Sequence, residues 1–209
     1  AGSRCTSKDC SISTEWSRIE ADGIAPDAKL AIYDIHKGND RLVFPDTAKK
    51  MFSRGLNAGA FIHSASWGSS GNFYKGEDIE WDKYMWKNKN YLAVQAAGNL
   101  GLSEKPGSVI NVAKNSLIVC ATNSYGVGMG RNYVAAFSSR GPTMDGRIKP
   151  DICAPGNRIN SAKNGIDRSC ANRYLSGTSM ATPGVAGAAL LFRQYFMDGF
   201  FSSGVKMKK

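Results

Sequence analysis

Apolar and polar positions along the chain form short apolar runs that alternate with segments of helical period. Residues 46–57 carry apolar side chains three to four positions apart. Residues 77–89 begin with acidic side chains and end with lysines, an order that the helix dipole favours. Both segments are therefore predicted to be helices. Buried strands are predicted at the apolar runs 29–35, 60–66, 91–97 and 117–121.

This alternation of strands and helices predicts an α/β fold. Parallel strands need a helical crossover between them, and the helices then cover both faces of the sheet. We therefore expect three layers, with a mostly parallel sheet in the middle. Ligands of such folds bind at the loops beyond the carboxyl ends of the strands, and we expect a functional site there.

A third helix is predicted after Gly177, in a segment rich in glycine and alanine. Small side chains make a thin helix, which suits burial against neighbours on all sides. Proline is tolerated near a helix start, where its missing N–H has no intrahelical partner to lose. Pro183 therefore places the first turn at about residues 179–183.

Composition narrows the class of protein. The 209 residues are 42% hydrophobic and 21% charged, which fits a globular domain and excludes collagen-like and charged disordered chains. No apolar run approaches the roughly 20 residues of a bilayer span, so no membrane segment is expected in this chain. The net charge is +10, but the basic residues within residues 131–209 are scattered singly, apart from Lys206, Lys208 and Lys209 at the end. A solvated surface is therefore favoured over a nucleic-acid site.

Five cysteines leave at least one unpaired within the chain. Cys5 and Cys10 are close enough in sequence to form a small disulfide loop in an oxidising compartment. Cys120, in an apolar run, and Cys153 are predicted to be buried as small hydrophobic residues. With only two histidines in the chain a zinc site is not expected, no calcium loop is evident, and neither a metal nor another cofactor is expected. The cysteines favour a secreted or endomembrane location.

Several motifs occur together in one order along the chain. Residues 177–183 read Gly-Thr-Ser-Met-Ala-Thr-Pro, residues 96–99 read Ala-Ala-Gly-Asn, and residues 66–68 read Ser-Trp-Gly. This combination resembles the subtilisin-like serine proteases, or subtilases. The resemblance implies that Ser179 is the nucleophile and that the Asn99 side chain donates to the oxyanion. It extends over most of residues 23–197, and the segments 23–28, 137–142 and 149–156 also look like family segments.

Substrate binding is likewise implied by the resemblance. The Ser66, Trp67 and Gly68 segment is similar to the family strand that pairs with the substrate backbone and walls the first specificity pocket. Ala96, Ala97 and Gly98 resemble the segment that leads to the oxyanion donor. The sequences of residues 63–68 and 193–196 resemble those of the branch that includes the KP-43-type enzymes. The implied activity is endopeptidase cleavage of peptide or protein substrates.

The proposed roles fit the chemistry of acyl transfer. A tight turn into a helix exposes a serine hydroxyl, and free N–H groups at the helix start favour negative charge. Asn99 at a strand end and the Ser179 backbone N–H are two possible donors to a tetrahedral oxyanion.

Two triad members are missing from the pattern. Subtilases place Asp, then His, then Ser along the chain, and this sequence has no Asp-Thr-Gly, Asp-Ser-Gly or His-Gly-Thr-His segment. His36 follows a predicted strand at no catalytic position of the family, and His63 is expected to pack or bond locally. We therefore expect the acid and the base upstream, in the missing N-terminal part of the same catalytic domain. The chain is expected to be incomplete at both ends and inactive alone.

The sequence also departs from the family at two smaller positions. Cys120 stands where glycine is usual, and residues 111–113, Asn-Val-Ala, stand where Ser-Pro-Ala is more common. The alternative to an enzyme is a non-catalytic subtilase-fold module that binds peptides or assembles with another protein. The expected organisation of residues 1–209 is a variable cysteine-containing segment 1–22, a family-like core 23–197 and a basic tail 198–209.

Overall fold

A four-stranded parallel sheet forms the centre of the computed structural model. The structure describes residues 23–35, 43, 45, 47–68, 71–102, 106–163, 172–201 and 205. The strands are β1 (Ile62–Ala65), β2 (Leu92–Ala96), β3 (Leu117–Thr122) and β4 (Ile152–Pro155). They pair in sequence order, with Ile62 opposite Leu92, Val94 opposite Leu117, and Val119 opposite Ile152.

Helices lie on both faces of this sheet. They are α1 (Ala48–Asn57), α2 (Gly76–Lys87) and α3 (Thr178–Met197), and a hairpin of β5 (Ile159–Ala162) and β6 (Asn172–Leu175) precedes α3. Side chains alternate between the faces of a strand, so each face has its own core. The three-layer α/β prediction is confirmed.

The first core is an aromatic cluster beneath α1 and α2. Phe52 of α1 is fully buried and packs edge-on against Trp81 of α2, with ring centroids 4.6 Å apart. Tyr84 and Tyr91 complete the cluster, together with Ala65 at the end of β1. We call these residues the aromatic core.

The second core lies on the opposite face, where α3 packs. Ala181 and Val185 of α3 contact Val94 of β2 and Val119 of β3. Side chains of alanine and valine allow the helix axis to lie close to the sheet, and α3 touches all four strands. We call this the helix core.

Residues 29–35 do not form the predicted strand. The structure gives them no regular element, and Ile32 is 85% exposed. An apolar run becomes a buried strand only when a neighbour supplies the ladder hydrogen bonds, and within the described residues this run pairs with no strand of the sheet. By contrast, β4, β5 and β6 were not predicted as strands.

The third helix begins at Thr178, close to the predicted start, but it is not buried on all sides. Its buried side chains lie in the first half, while Phe192 is 67% exposed in the second half. The expectation of complete burial is wrong for the chain as described, because the helix packs on the sheet along one face only. Among the described residues, no helix has the length and apolar character needed to cross a bilayer.

Cys120 and Cys153 are joined in a disulfide, and the prediction of two unlinked buried residues is wrong. They face each other across β3 and β4, with Cα atoms 4.4 Å apart. Cys120 is buried as predicted, whereas Cys153 is exposed. The two cysteines are 33 positions apart, and their pairing depends on strand order, so it is not evident from the sequence. Cys5, Cys10 and His36 lie outside the described residues, as do the whole segment 1–22 and most of the basic tail.

Candidate active site

Ser179 lies in the first turn of α3, where the helix meets the carboxyl end of β1. Its hydroxyl donates to the backbone oxygen of Ser66 at 3.1 Å, and the Ser66 hydroxyl donates to the backbone oxygen of Ser179 at 2.9 Å. Pro183 explains the second contact. In an α-helix the Ser179 carbonyl would accept from the N–H of residue 183, which proline lacks. The Ser66 hydroxyl therefore satisfies a carbonyl that the helix leaves open.

Asn99 follows β2, and its side chain is oriented by Thr178. The Asn99 Oδ1 accepts from the Thr178 backbone N–H at 2.9 Å and from the Thr178 hydroxyl at 3.0 Å. The same hydroxyl oxygen accepts from the Gly98 N–H at 3.2 Å. These contacts fix which end of the carboxamide is the oxygen, so the Nδ2 donor is directed away from Thr178.

Gly177 leaves open the space on which two donors converge. A Cβ built on Gly177 would lie 3.4 Å from Asn99 Nδ2 and 3.6 Å from the Ser179 nitrogen. The Asn99 amide group and the Ser179 N–H therefore border the same small volume. The Gly177 N–H donates to Gly156 at 2.8 Å, which ties this turn to the end of β4.

The predicted substrate segments lie on neighbouring strands. Residues 66–68 follow β1 and residues 96–98 include the end of β2, so both leave the sheet at its carboxyl edge. Asn111 donates its Nδ2 to Trp67 O at 3.0 Å and to Ala96 O at 2.7 Å, joining the two segments.

Trp67 and Ala97 of these segments have side chains that pack inside the protein, so only their backbones are available to the candidate site. The Trp67 indole packs against Trp81 in the aromatic core, with ring centroids 5.6 Å apart. Ala97 is fully buried, and its carbonyl accepts from the Ile110 N–H at 3.0 Å. Residues 66 and 68 are exposed.

His63 is not placed to act as the general base for Ser179. It projects from β1 into the aromatic core, and its ring centroid is 4.8 Å from that of Phe52 and 5.6 Å from that of Trp81. Burial there lowers the His63 pKa to about 4. The α3 helix and Ser179 pack on the other face of the sheet, since Ile62 contacts the helix core. Local packing of His63 was expected from the sequence.

No role was predicted for Thr178 from the sequence, although it lies inside the Gly-Thr-Ser motif. The signal for it was the motif itself, but its contact with Asn99 joins residues that are 79 positions apart. Asn111 was singled out only as a departure from the family. In the described residues, no group of three or more His, Cys, Asp or Glu residues is placed to hold a metal ion.

A model of the subtilase family matches residues 5–208 of the chain. The chain belongs to the subtilase family. Two similar proteins are the serine protease/ABC transporter B family proteins tagB and tagD of Dictyostelium discoideum, which are 27% and 28% identical to it. The matches cover 94% and 87% of this subtilase chain but only 15% of either relative, so the chain spans a small part of their length. Serine protease AprX of Bacillus subtilis is 39% identical over 49% of the chain and 26% of AprX.

Solved structures agree with this assignment. A mutant of the protease domain of PatA superposes with a TM-score of 0.61 at 30% identity, covering 83% of this chain and 58% of that one. The PatG macrocyclase in complex with peptide superposes with a TM-score of 0.52 at 26% identity, covering 68% of this chain and 39% of that one. The fold is therefore that of the subtilases, and the family is one of serine proteases.

Proposed function

We propose that this subtilase chain carries the nucleophile and the oxyanion site of a serine endopeptidase. Ser179 is the nucleophile, and Asn99 Nδ2 and the Ser179 N–H are the oxyanion donors. The observation that carries the proposal is the fixed orientation of Asn99, whose Oδ1 accepts two hydrogen bonds from Thr178, the residue before the serine. A module kept only for binding has no need to aim an amide donor at the volume beside a serine.

In the proposed reaction, Ser179 Oγ attacks the carbonyl carbon of the scissile peptide bond. The hydroxyl proton passes to a general base, and the carbonyl oxygen becomes an oxyanion held by the two donors. The intermediate expels the amine, which takes the proton from the base, and leaves an acyl-enzyme on Ser179. Water then hydrolyses this ester with the help of the same base.

The general base is not His63, which lies in the aromatic core. We infer that upstream polypeptide of the same catalytic domain supplies a histidine and an aspartate, in the order that subtilases follow. The 209 residues alone are then inactive, since a serine hydroxyl without a base stays protonated at neutral pH. We call a polypeptide that contains this chain and those upstream residues the extended protein.

The substrate is proposed to be a peptide or an unstructured segment of a protein. In the described sheet β1 is an edge strand, and residues 66–68 continue it toward Ser179. A peptide lying along an edge gains affinity from main-chain hydrogen bonds and specificity from pockets for its side chains. Ser66 O already accepts a hydrogen bond from Ser179, so it is accessible to an N–H donor beside the serine.

A secreted or endomembrane location is part of the proposal. The disulfide between Cys120 and Cys153 supports it, because disulfides persist in oxidising compartments and are rare in the cytosol.

Casein hydrolysis tests the proposed function. The extended protein is expected to cleave casein, whereas its Ser179→Ala variant and the 209-residue chain alone are expected not to. The alanine variant is the matched control, because it removes one hydroxyl that makes a single hydrogen bond to Ser66. Equal cleavage by the extended protein and its alanine variant would show that Ser179 is not the nucleophile.

A further inference from the structure

The two chain segments beside Ser179 enclose a gap. Residues 66–68 border it on the β1 side, and residues 96–98 border it on the β2 side. The Ser179 hydroxyl lies 3.1 Å from Ser66 O, and Asn99 ends the second segment. A carbonyl attacked by Ser179 and held by Asn99 therefore belongs to a residue at the mouth of this gap. In the proposed complex, the side chain of that residue enters the gap.

The Asn111 side chain occupies the gap. Asn111 is 5% exposed, and its amide group donates to a carbonyl on each side, Trp67 O at 3.0 Å and Ala96 O at 2.7 Å. Its carboxamide presses against Gly68, where a Cβ would lie 2.6 Å from both Nδ2 and Oδ1. The Asn111 carboxamide therefore fills the space beside Gly68 on the β1 side.

Ile110 closes the other side. A Cβ on Gly98 would lie 2.9 Å from Ile110 Cγ1, so the isoleucine packs directly on the backbone that precedes Asn99. The Trp67 indole does not contribute to the lining, because it packs on Trp81 in the aromatic core. Asn111 and Ile110 therefore line the gap, Asn111 beside Gly68 and Ile110 beside Gly98.

We propose that Asn111 restricts the residue whose carbonyl Ser179 attacks to a small side chain, that of Gly, Ala or Ser. The inference rests on the proposed function and names its substrate class. A large side chain such as Phe fits only if the Asn111 amide leaves, and the buried Ala96 carbonyl and the part-buried Trp67 carbonyl would then lose their donor. Leaving such buried acceptors without a partner is unfavourable, so the enzyme discriminates against the large residue.

Two chromogenic peptides test this specificity. They are succinyl-Ala-Ala-Pro-Ala and succinyl-Ala-Ala-Pro-Phe p-nitroanilides, each hydrolysed by the extended protein. We expect kcat/KM to be at least about tenfold higher for the Ala peptide, within the range by which pocket size discriminates between side chains. In the Asn111→Ala variant, the amide is gone and this ratio is expected to fall to about one or to reverse.

Asn72→Ala is the matched control. Asn72 is also a buried asparagine whose Nδ2 bridges two carbonyls, Gly107 O at 2.9 Å and Pro142 O at 2.9 Å, and neither belongs to the two segments. Its variant loses the same kind of contacts but is expected to keep the Ala-to-Phe ratio of the unaltered protein. A loss of folding lowers both rates together, so the ratio separates specificity from stability.

The outcomes are distinct. A ratio near one in the unaltered extended protein, or a ratio that Asn111→Ala leaves unchanged, overturns the specificity inference while the hydrolysis itself supports the proposed function. Failure to hydrolyse these peptides and casein alike overturns the function on which the inference rests.

Discussion

At the scale of single residues, the site depends on side chains that hold one another in place. Asn99 offers its amide to the volume beside Ser179 because Thr178 occupies its oxygen with two donors. Ser179 in turn is held by Ser66, whose hydroxyl reaches a carbonyl left open by Pro183. Ser179 and Asn99 could be proposed as site residues from the sequence, because they belong to short local patterns. Thr178 and Asn111 act across 79 and 44 positions, and only the folded chain shows their partners.

Replacing Asn99 by alanine is expected to lower kcat of the extended protein by about 10²–10³. This is the loss found in subtilisin, a member of the same family, when one oxyanion donor is removed, and we adopt its magnitude. KM is expected to change little, since the donor acts on charge that develops only in the transition state. Steady-state kinetics on a peptide p-nitroanilide measures both constants.

Asn123→Ala provides the control for that substitution. The Asn123 side chain contacts Asn157, in the loops that follow β3 and β4, and its loss is expected to leave kcat unchanged. If Asn99→Ala retained full kcat, the oxyanion role of Asn99 would be refuted.

At the scale of elements, sequence periodicity predicted the helices whose formation depends on the local spacing of their own side chains. The segments 46–57 and 77–89 are helical because their own spacing and charge order favour helices. α1 lies within the first segment, and α2 begins one residue before the second and ends at Lys87. Residues 29–35 failed as a strand because a strand also needs a neighbour. Likewise, the exposure of the second half of α3 depends on which parts of the protein pack beside it, and the sequence of the helix does not reveal these neighbours.

Acid is expected to destabilise the aromatic core through His63. Burial lowers the His63 pKa from 6.5 to about 4, and its Nε2 is buried without a hydrogen-bond partner among the described residues. The unfolded chain therefore binds more protons than the folded chain between those pH values, so stability falls as pH decreases through this window. Between pH 7 and pH 5 this histidine should account for about 2 kcal/mol of lost unfolding free energy.

A His63→Phe variant isolates this contribution, because phenylalanine suits the edge-on packing against Phe52 and Trp81. Urea unfolding of both proteins at pH 7 and pH 5 gives the comparison. An equal acid-induced loss of stability in the two proteins would contradict the assignment.

The disulfide between β3 and β4 is expected to stabilise the sheet. Closing a loop of 33 residues restricts the unfolded chain, a contribution of about 3–4 kcal/mol on the chain-entropy estimate. A Cys120→Ala/Cys153→Ala variant should unfold at correspondingly lower urea concentration, while retaining the strand pairing of Ala121 with Ala154. Peptide mapping without reductant should find Cys120 linked to Cys153. Free thiols at both positions in protein from an oxidising compartment would refute the pairing.

At the scale of the whole molecule, three parts of the chain meet at one edge of the sheet. The carboxyl ends of β1 and β2 supply Ser66 and Asn99, and the start of α3 supplies Ser179. Their order along the chain was sufficient to indicate a subtilase, since each motif is short and keeps its own local structure. The sequence did not reveal that the Asn111 amide bridges the two segments, because that contact depends on how two strand ends are spaced in three dimensions.

Ser179 is proposed to be a nucleophile whose base lies outside these 209 residues. Labelling with a fluorophosphonate probe tests it most directly, because the probe reacts with serines activated by a base. The predicted result is rapid labelling of Ser179 in the extended protein, confirmed by peptide mapping, and negligible labelling of the 209-residue chain. Labelling of the chain alone at the rate of the extended protein, or no labelling of Ser179 in the extended protein, would contradict the account.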